Sequence, residues 1–194
     1  MERLQQQIAF ILELDKLKSV LRRTKPTGMN RQENTAEHSW HIAVLALVLA
    51  EYANEAVDMS HVIKMLLIHD IVEIDADDTM IYDVAGNADK WERESQAAER
   101  IFSLLPNEQG AEYKALWLEY EEQSSAEARF AKVADRLMPL LHNYHNQGDG
   151  WQIHNVRAHQ VRQVNSVIEH GSSTLWVFVQ SLIEDATGKG YLAE

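Results

Sequence analysis

Apolar residues recur at helical spacing along nearly the whole chain. Leu4, Ile8, Ile11, Leu12, Leu14, Leu17 and Leu21 form a stripe that predicts a helix over residues 3–21. Pro26, Gly28 and Asn30 break the pattern, which predicts a loop over 22–35, with Thr35 capping the helix that follows. From Ile42 to Ala53 almost every position is apolar, as expected of a central helix buried all round, and Trp40 falls on its stripe. Residues 61–74 repeat the signal with Val62, Ile63, Met65, Leu66, Leu67, Ile68, Ile71 and Val72, and the acidic stretch Asp75–Asp78 ends it. Residues 79–88 read as irregular. An amphipathic helix over 89–105 stops at Pro106, and a short one covers 108–122. Ser124 or Ser125 caps a helix reaching about His145, with Pro139 inside it. After the turn at 146–150, two more helices are predicted at 152–169 and 172–187. No stretch alternates with period two and no repeat is present, so the pattern predicts one all-α domain, with 36–53, 61–74 and 125–145 as its central helices.

Composition narrows this. The chain has 194 residues, 45% hydrophobic and 25% charged, an ordinary globular balance with enough length for a core. Eight Gly and three Pro are too few for a turn-dense β sandwich or barrel. Cys is absent, which excludes disulfides, thiolate metal sites and thiol catalysis. A net charge of −12 argues against binding duplex nucleic acid. The longest apolar run, Ile42–Ala50, is about half a membrane span, and residues 1–10 lack a secretory pattern. A cytoplasmic protein with no membrane partner is expected.

Candidate chemistry sits where polar residues interrupt apolar helices. His69-Asp70 ends one strongly apolar helix, His38 opens another, Asp135 interrupts the stripe of residues 128–141, and Glu73 follows His69 by one turn. An ionised Asp among apolar side chains needs a partner or a metal. Taken singly, His38 and His69 read as core histidines bonded to backbone, and Asp70 and Asp135 as caps or ion-pair residues. Taken together, two imidazoles and two carboxylates suit Mn, Fe, Co, Ni or Zn, whereas Mg prefers oxygen ligands alone. Six of the 18 Lys and Arg (Lys16, Lys18, Arg22, Arg23, Lys25, Arg31) lie in residues 16–31, with no acidic residue among them. They read either as a solvated basic loop or as a rim for an anion such as phosphate. Pro139 predicts a kink beside Asp135, and Trp40, Trp151 and Trp176 are expected to pack in the core.

The stretches Arg31-Gln-Glu-Asn-Thr-Ala-Glu-His38-Ser, His69-Asp-Ile-Val-Glu73 through Asp78-Thr, and Ala131-Lys-Val-Ala-Asp135-Arg136 resemble the HD-domain metal-dependent phosphohydrolases, in the branch of the 5′-deoxynucleotidases. The likeness runs from about residue 10 to about 170, with the helix at 172–187 packed on that core in one HD-type helical bundle spanning 1–194. It implies one divalent metal held by His38, His69, Asp70 and Asp135, with Glu73 and Asp78 as catalytic carboxylates. It implies that Arg23 contacts the substrate phosphate, with Arg31 as a second candidate. Thr24 stands where that branch carries a Trp against the sugar, and Asp77 where a Gly precedes Asp78. The implied activity is removal of the 5′-phosphate from nucleoside or deoxynucleoside monophosphates, and the implied assembly a homodimer. Another hydrolase of the same superfamily, acting on cyclic nucleotides or (p)ppGpp, or a non-catalytic nucleotide-binding module are the alternatives.

Overall fold

The computed structural model describes residues 2–83 and 85–194. Helix α1 covers Glu2–Glu13 and tightens into a 3₁₀ turn over Leu14–Ser19 before the backbone extends at Val20. The stripe at residues 3–21 therefore divides in two, and only Phe10 and Leu17 of these elements are buried. The predicted loop after it is a narrow return. Residues 20–24 run antiparallel to 33–35 through Arg22 N–H to the Glu33 carbonyl (2.8 Å), Glu33 N–H to the Thr24 carbonyl (2.9 Å) and Thr35 N–H to the Val20 carbonyl (3.0 Å).

Helix α2, Thr35–Leu49, begins with a capping box: the Asn34 side chain accepts from Glu37 N–H and the Glu37 carboxylate accepts from Asn34 N–H. The cap is thus Asn34 rather than Thr35, which frees the Thr35 hydroxyl to point inward. Helix α3 spans Met59–Ile68, a 3₁₀ turn carries His69–Val72, and α4 is the single turn Glu73–Ala76. Then come α5 (Lys90–Phe102), α6 (Asn107–Glu122), α7 (Ala126–His145), α8 (Asp149–Ile153), α9 (Ala158–Asn165), α10 (Ile168–Gly171) and α11 (Ser173–Gly188). Ser125 caps α7 by accepting from Ala128 N–H, and Ser172 caps α11 by accepting from Leu175 N–H.

The chain is all-α; among the described residues there are only two isolated β-bridges, and no helix is long and apolar enough to cross a membrane. Helix α7 is the axis, packing against α2, α3, α6, α10 and α11. Ile42, Ala46, Val62, Met65, Leu66, Val133 and Leu137 fill the space between α2, α3 and α7. Helix α2 is not buried all round. Its face bearing Ile42, Ala43 and Ala46 points inward, while Trp40, Val44, Leu47 and Val48 lie on the opposite side in solvent. Trp40 is 63% exposed, which corrects the expectation that it packs in the core; Trp151 and Trp176 do pack there.

Gly171 lets α10 press onto α7. A Cβ there would sit 2.5 Å from the Arg129 carbonyl oxygen and 2.6 Å from Val133 Cγ2. Gly171→Ala is expected to cost about 2 kcal/mol, the usual penalty of overpacking. A urea melt should show a lowered midpoint, and an unchanged midpoint would contradict this packing.

Candidate metal centre

Three elements converge on one point. The first turn of α2 supplies His38, the 3₁₀ turn after α3 supplies His69 and Asp70, and the middle of α7 supplies Asp135. His38 Nε2 lies 3.2 Å from Asp135 Oδ1, His69 Nε2 lies 3.8 Å from the same oxygen, and His69 Nε2 lies 3.0 Å from Asp70 Oδ1. The donor atoms of His38, His69 and Asp135 all fall within 4.8 Å of one another. Both imidazoles are buried. His69 Nδ1 donates to the Leu66 carbonyl at 3.0 Å, so Nε2 is the nitrogen that faces the centre, and that buried atom has no hydrogen-bond partner. Two imidazole nitrogens and two carboxylates aimed at one point fit a borderline divalent ion.

Around this point the structure gathers further acids. The tight turn over residues 69–72 brings positions three apart onto one side, so Glu73 shares a face with Asp70. Thr35 donates to Glu73 Oε2 at 2.9 Å. Asp77 adopts φ 59°, a conformation that favours glycine, and turns the chain so that Asp78 faces the same pocket. Arg22 binds these groups together. Its guanidinium lies 3.1 Å from Asp70, 3.5 Å from Asp78, 4.0 Å from Glu73 and 3.7 Å from Glu33.

The electrostatics follow. Burial opposes charge on His69, but Asp70 and Asp135 outweigh it and push the imidazole up to about 10. Such an imidazole carries a proton when nothing else balances those carboxylates, and gives the proton up when a cation does. Burial alone would raise Asp70 and Asp135; His69 and Arg22 hold the first, and His38 and His69 the second, well below the ordinary carboxylate range. Glu73 goes the other way: burial and the charge of Asp70 drive it well above the usual value despite Arg22. Burial also raises Asp78, against the pull of Arg22.

The basic stretch contributes Arg22 and Arg23, but in different ways. In the extended return, successive side chains alternate. Arg22 and Thr24 turn inward and Leu21 and Arg23 outward, so Arg22 reaches the acids while Arg23 is an exposed residue on the pocket rim. Thr24 lines the pocket, and its hydroxyl donates to Glu33 Oε2 at 3.3 Å. Arg31 is not brought to the pocket: it is exposed and paired with both oxygens of Glu37.

Other groups at the site carried no signal of their own in the sequence. Tyr120 donates to Asp135 Oδ2 at 2.8 Å and packs its ring 4.6 Å from that of His69. Lys132 Nζ lies 3.7 Å from Asp135 Oδ2 and 4.0 Å above the Tyr120 ring; burial lowers its pKa despite Asp135. Glu33 Oε2 lies 3.3 Å from His38 Nδ1 and sets a carboxylate beside that ring. Helical spacing from Asp135 could have pointed to Lys132. Glu33 and Tyr120 needed the tertiary structure.

A model of the HD domain family matches residues 14–176. The human protein named 5′-deoxynucleotidase HDDC2 is 32% identical over 136 residues, covering 68% of this chain and 65% of that protein; the matched stretch thus spans just under two thirds of that relative. The mouse protein of the same name is 31% identical over 138 residues, covering 69% and 68%. A crystal structure described as a predicted metal-dependent phosphohydrolase from Magnetospirillum magnetotacticum MS-1 superposes with a TM-score of 0.94 at 52% identity over 100% of both chains. The PH0347 protein from Pyrococcus horikoshii OT3 matches at TM-score 0.63 and 23% identity, covering 91% of this chain and 98% of that one, which shows a shared fold.

If Arg22 holds the buried acids together, its loss leaves them unpaired. Arg22→Gln is expected to destabilise the fold by about 3 kcal/mol. Arg23→Gln, at an exposed position, should stay within about 0.5 kcal/mol. Urea denaturation at neutral pH compares them, and equal effects would contradict the inward placement of Arg22.

Proposed function

The chain belongs to the HD domain family, and on that premise we propose that it is a metal-dependent phosphohydrolase that removes the 5′-phosphate from deoxyribonucleoside and ribonucleoside monophosphates. The observation that carries this reading is the convergence of His38, His69 and Asp135, with Asp70 3.0 Å from His69, at the edge of a pocket that also holds two carboxyls raised above their usual range and a buried Arg. The 32% identity to a protein named 5′-deoxynucleotidase supports the substrate class.

His38, His69, Asp70 and Asp135 would hold the ion. When bound, a divalent ion polarises a phosphoryl oxygen and makes nearby water more acidic. Arg22 turns its fork toward the pocket and would hold the phosphate and offset the charge that builds on it; Arg23 on the rim would attract the dianion. Lys132, beside Asp135, adds a second cation at the same end of the pocket. Burial and the charge of Asp70 drive the Glu73 carboxyl well above its usual range and Thr35 fixes its orientation, so it would deliver a proton to the departing 5′-oxygen. Asp78 shares the Arg22 guanidinium and would set its position. Water adds to phosphorus, the P–O5′ bond breaks, and nucleoside and inorganic phosphate leave.

At the sugar end, Thr24 provides no aromatic wall, and its hydroxyl is committed to Glu33. Excluding one extra hydroxyl by shape is worth roughly a hundredfold at best. Ribo- and deoxyribonucleotides are therefore expected to react within about tenfold of each other.

One series of measurements tests the reading. Asp70→Ala and Asp135→Ala should lose the ion of this centre and turnover with helical content intact, while Glu73→Ala should keep that ion and lose turnover. Arg22→Ala should weaken every 5′-monophosphate by a similar factor and more than Arg23→Ala does. Full metal content in Asp135→Ala, or no phosphate release from any nucleoside monophosphate with Mn, Co, Fe, Ni or Zn, would overturn it. We also propose a homodimer, supported by the exposed apolar side chains of α2 and by Val177 and Phe178 on α11. A sedimentation mass near 22.2 kDa, that of one chain, would contradict the dimer.

A further inference from the structure

A second cluster of metal-binding side chains lies behind the first. His41 follows His38 by one turn of α2, His142 follows Asp135 by two turns of α7, and Glu33 precedes the α2 cap. His41 and His142 lie on two of the elements that build the proposed centre, displaced along both, and Glu33 lies on the extended return that leads into α2. Their donor atoms all lie within 4.8 Å of one another. Donors arranged tetrahedrally around one ion at about 2.1 Å stand about 3.4 Å apart. The His142 Nδ1 to Glu33 Oε2 separation, 3.8 Å, is already close to that spacing. The His41 and His142 rings are 5.8 Å apart between centroids, and His41 is half-buried.

His142 supplies the independent observation. It is 2% exposed, its Nδ1 is buried, and that nitrogen has no hydrogen-bond partner. At 3.8 Å the Glu33 carboxylate is too distant to accept a hydrogen bond from it. A buried polar atom left this way costs about 1–3 kcal/mol unless something else satisfies it. Glu33, for its part, meets Thr24, Arg22, His38 and His142 through Oε2, and none of these contacts uses Oε1. A small cavity lined by Arg23, Lys25, Asn143 and His154 also touches His142.

We propose that Glu33, His41 and His142 form a second divalent transition-metal site, coupled to the first through the Glu33 carboxylate that also faces His38. Two imidazoles and one carboxylate leave a fourth position for water, the donor set of Zn and Co sites. The proposal concerns metal binding alone and stands whether or not the first site hydrolyses phosphate esters.

The test uses the full chain stripped with chelator and titrated with Co²⁺, reading visible absorption and bound metal per chain after equilibrium dialysis. The wild type should bind two ions in two resolved steps. His142→Gln should bind one, Asp135→Ala should bind one, and the variant carrying both should bind none. His41→Gln, at a half-buried position, should also bind one and guards against misfolding of His142→Gln. One ion in the wild type that Asp135→Ala abolishes and His142→Gln retains would overturn the second site while leaving the first intact. Two ions in both His142→Gln and His41→Gln would overturn it as well.

Discussion

The structure depends on burying a concentration of negative charge. Asp70, Asp135, Glu73, Asp78 and Glu33 face one region of the interior, and the charges among them must be balanced there. Little water reaches them, so the fold balances them with Arg22, Lys132 and the His69 imidazole. The response of the groups follows this balance. The carboxylates nearest the imidazoles are held below their usual range, while burial and the charge of Asp70 drive Glu73 well above it. Neighbouring carboxyls pushed in opposite directions within a few ångströms suit a site that holds a cation and moves a proton.

The helices around the site are placed to serve that convergence. The capping box of Asn34 and Glu37 fixes where α2 begins and so aims His38 into the interior. The change from α to 3₁₀ after Ile68 lets Asp70 and Glu73 line one side of the pocket. The antiparallel return of residues 20–24 on 33–35 brings Arg22 and Glu33 side by side next to the same centre. Helix α7 then presents Asp135, Lys132 and His142 along one face, which ties the proposed second cluster to the first.

Much of this was legible in the sequence because period-3.6 apolar stripes locate helices and isolated polar residues stand out against them. His38, His69, Asp70 and Asp135 were visible on that ground. The choice between Arg22 and Arg23 was not, since two adjacent arginines look alike until a backbone bridge sets which one points inward. Glu33 and Tyr120 were silent for a related reason: neither interrupts an apolar run, and each reaches the site only through tertiary packing. The exposed face of α2 was misjudged because a nearly uniform apolar sequence has no polar positions to mark the outer side, so Trp40 looked like core. Arg31 sits in the same basic stretch as Arg22 but spends its charge on Glu37.

A divalent ion held between α2, the turn after α3 and α7 would be seen by anomalous diffraction from crystals of the cobalt-loaded protein, recorded on both sides of the metal's absorption edge. The expected peak lies about 2.0–2.2 Å from His38 Nε2, His69 Nε2 and carboxylate oxygens of Asp70 and Asp135. Loaded crystals with no peak at that point, or with the ion held by other residues, would contradict that placement.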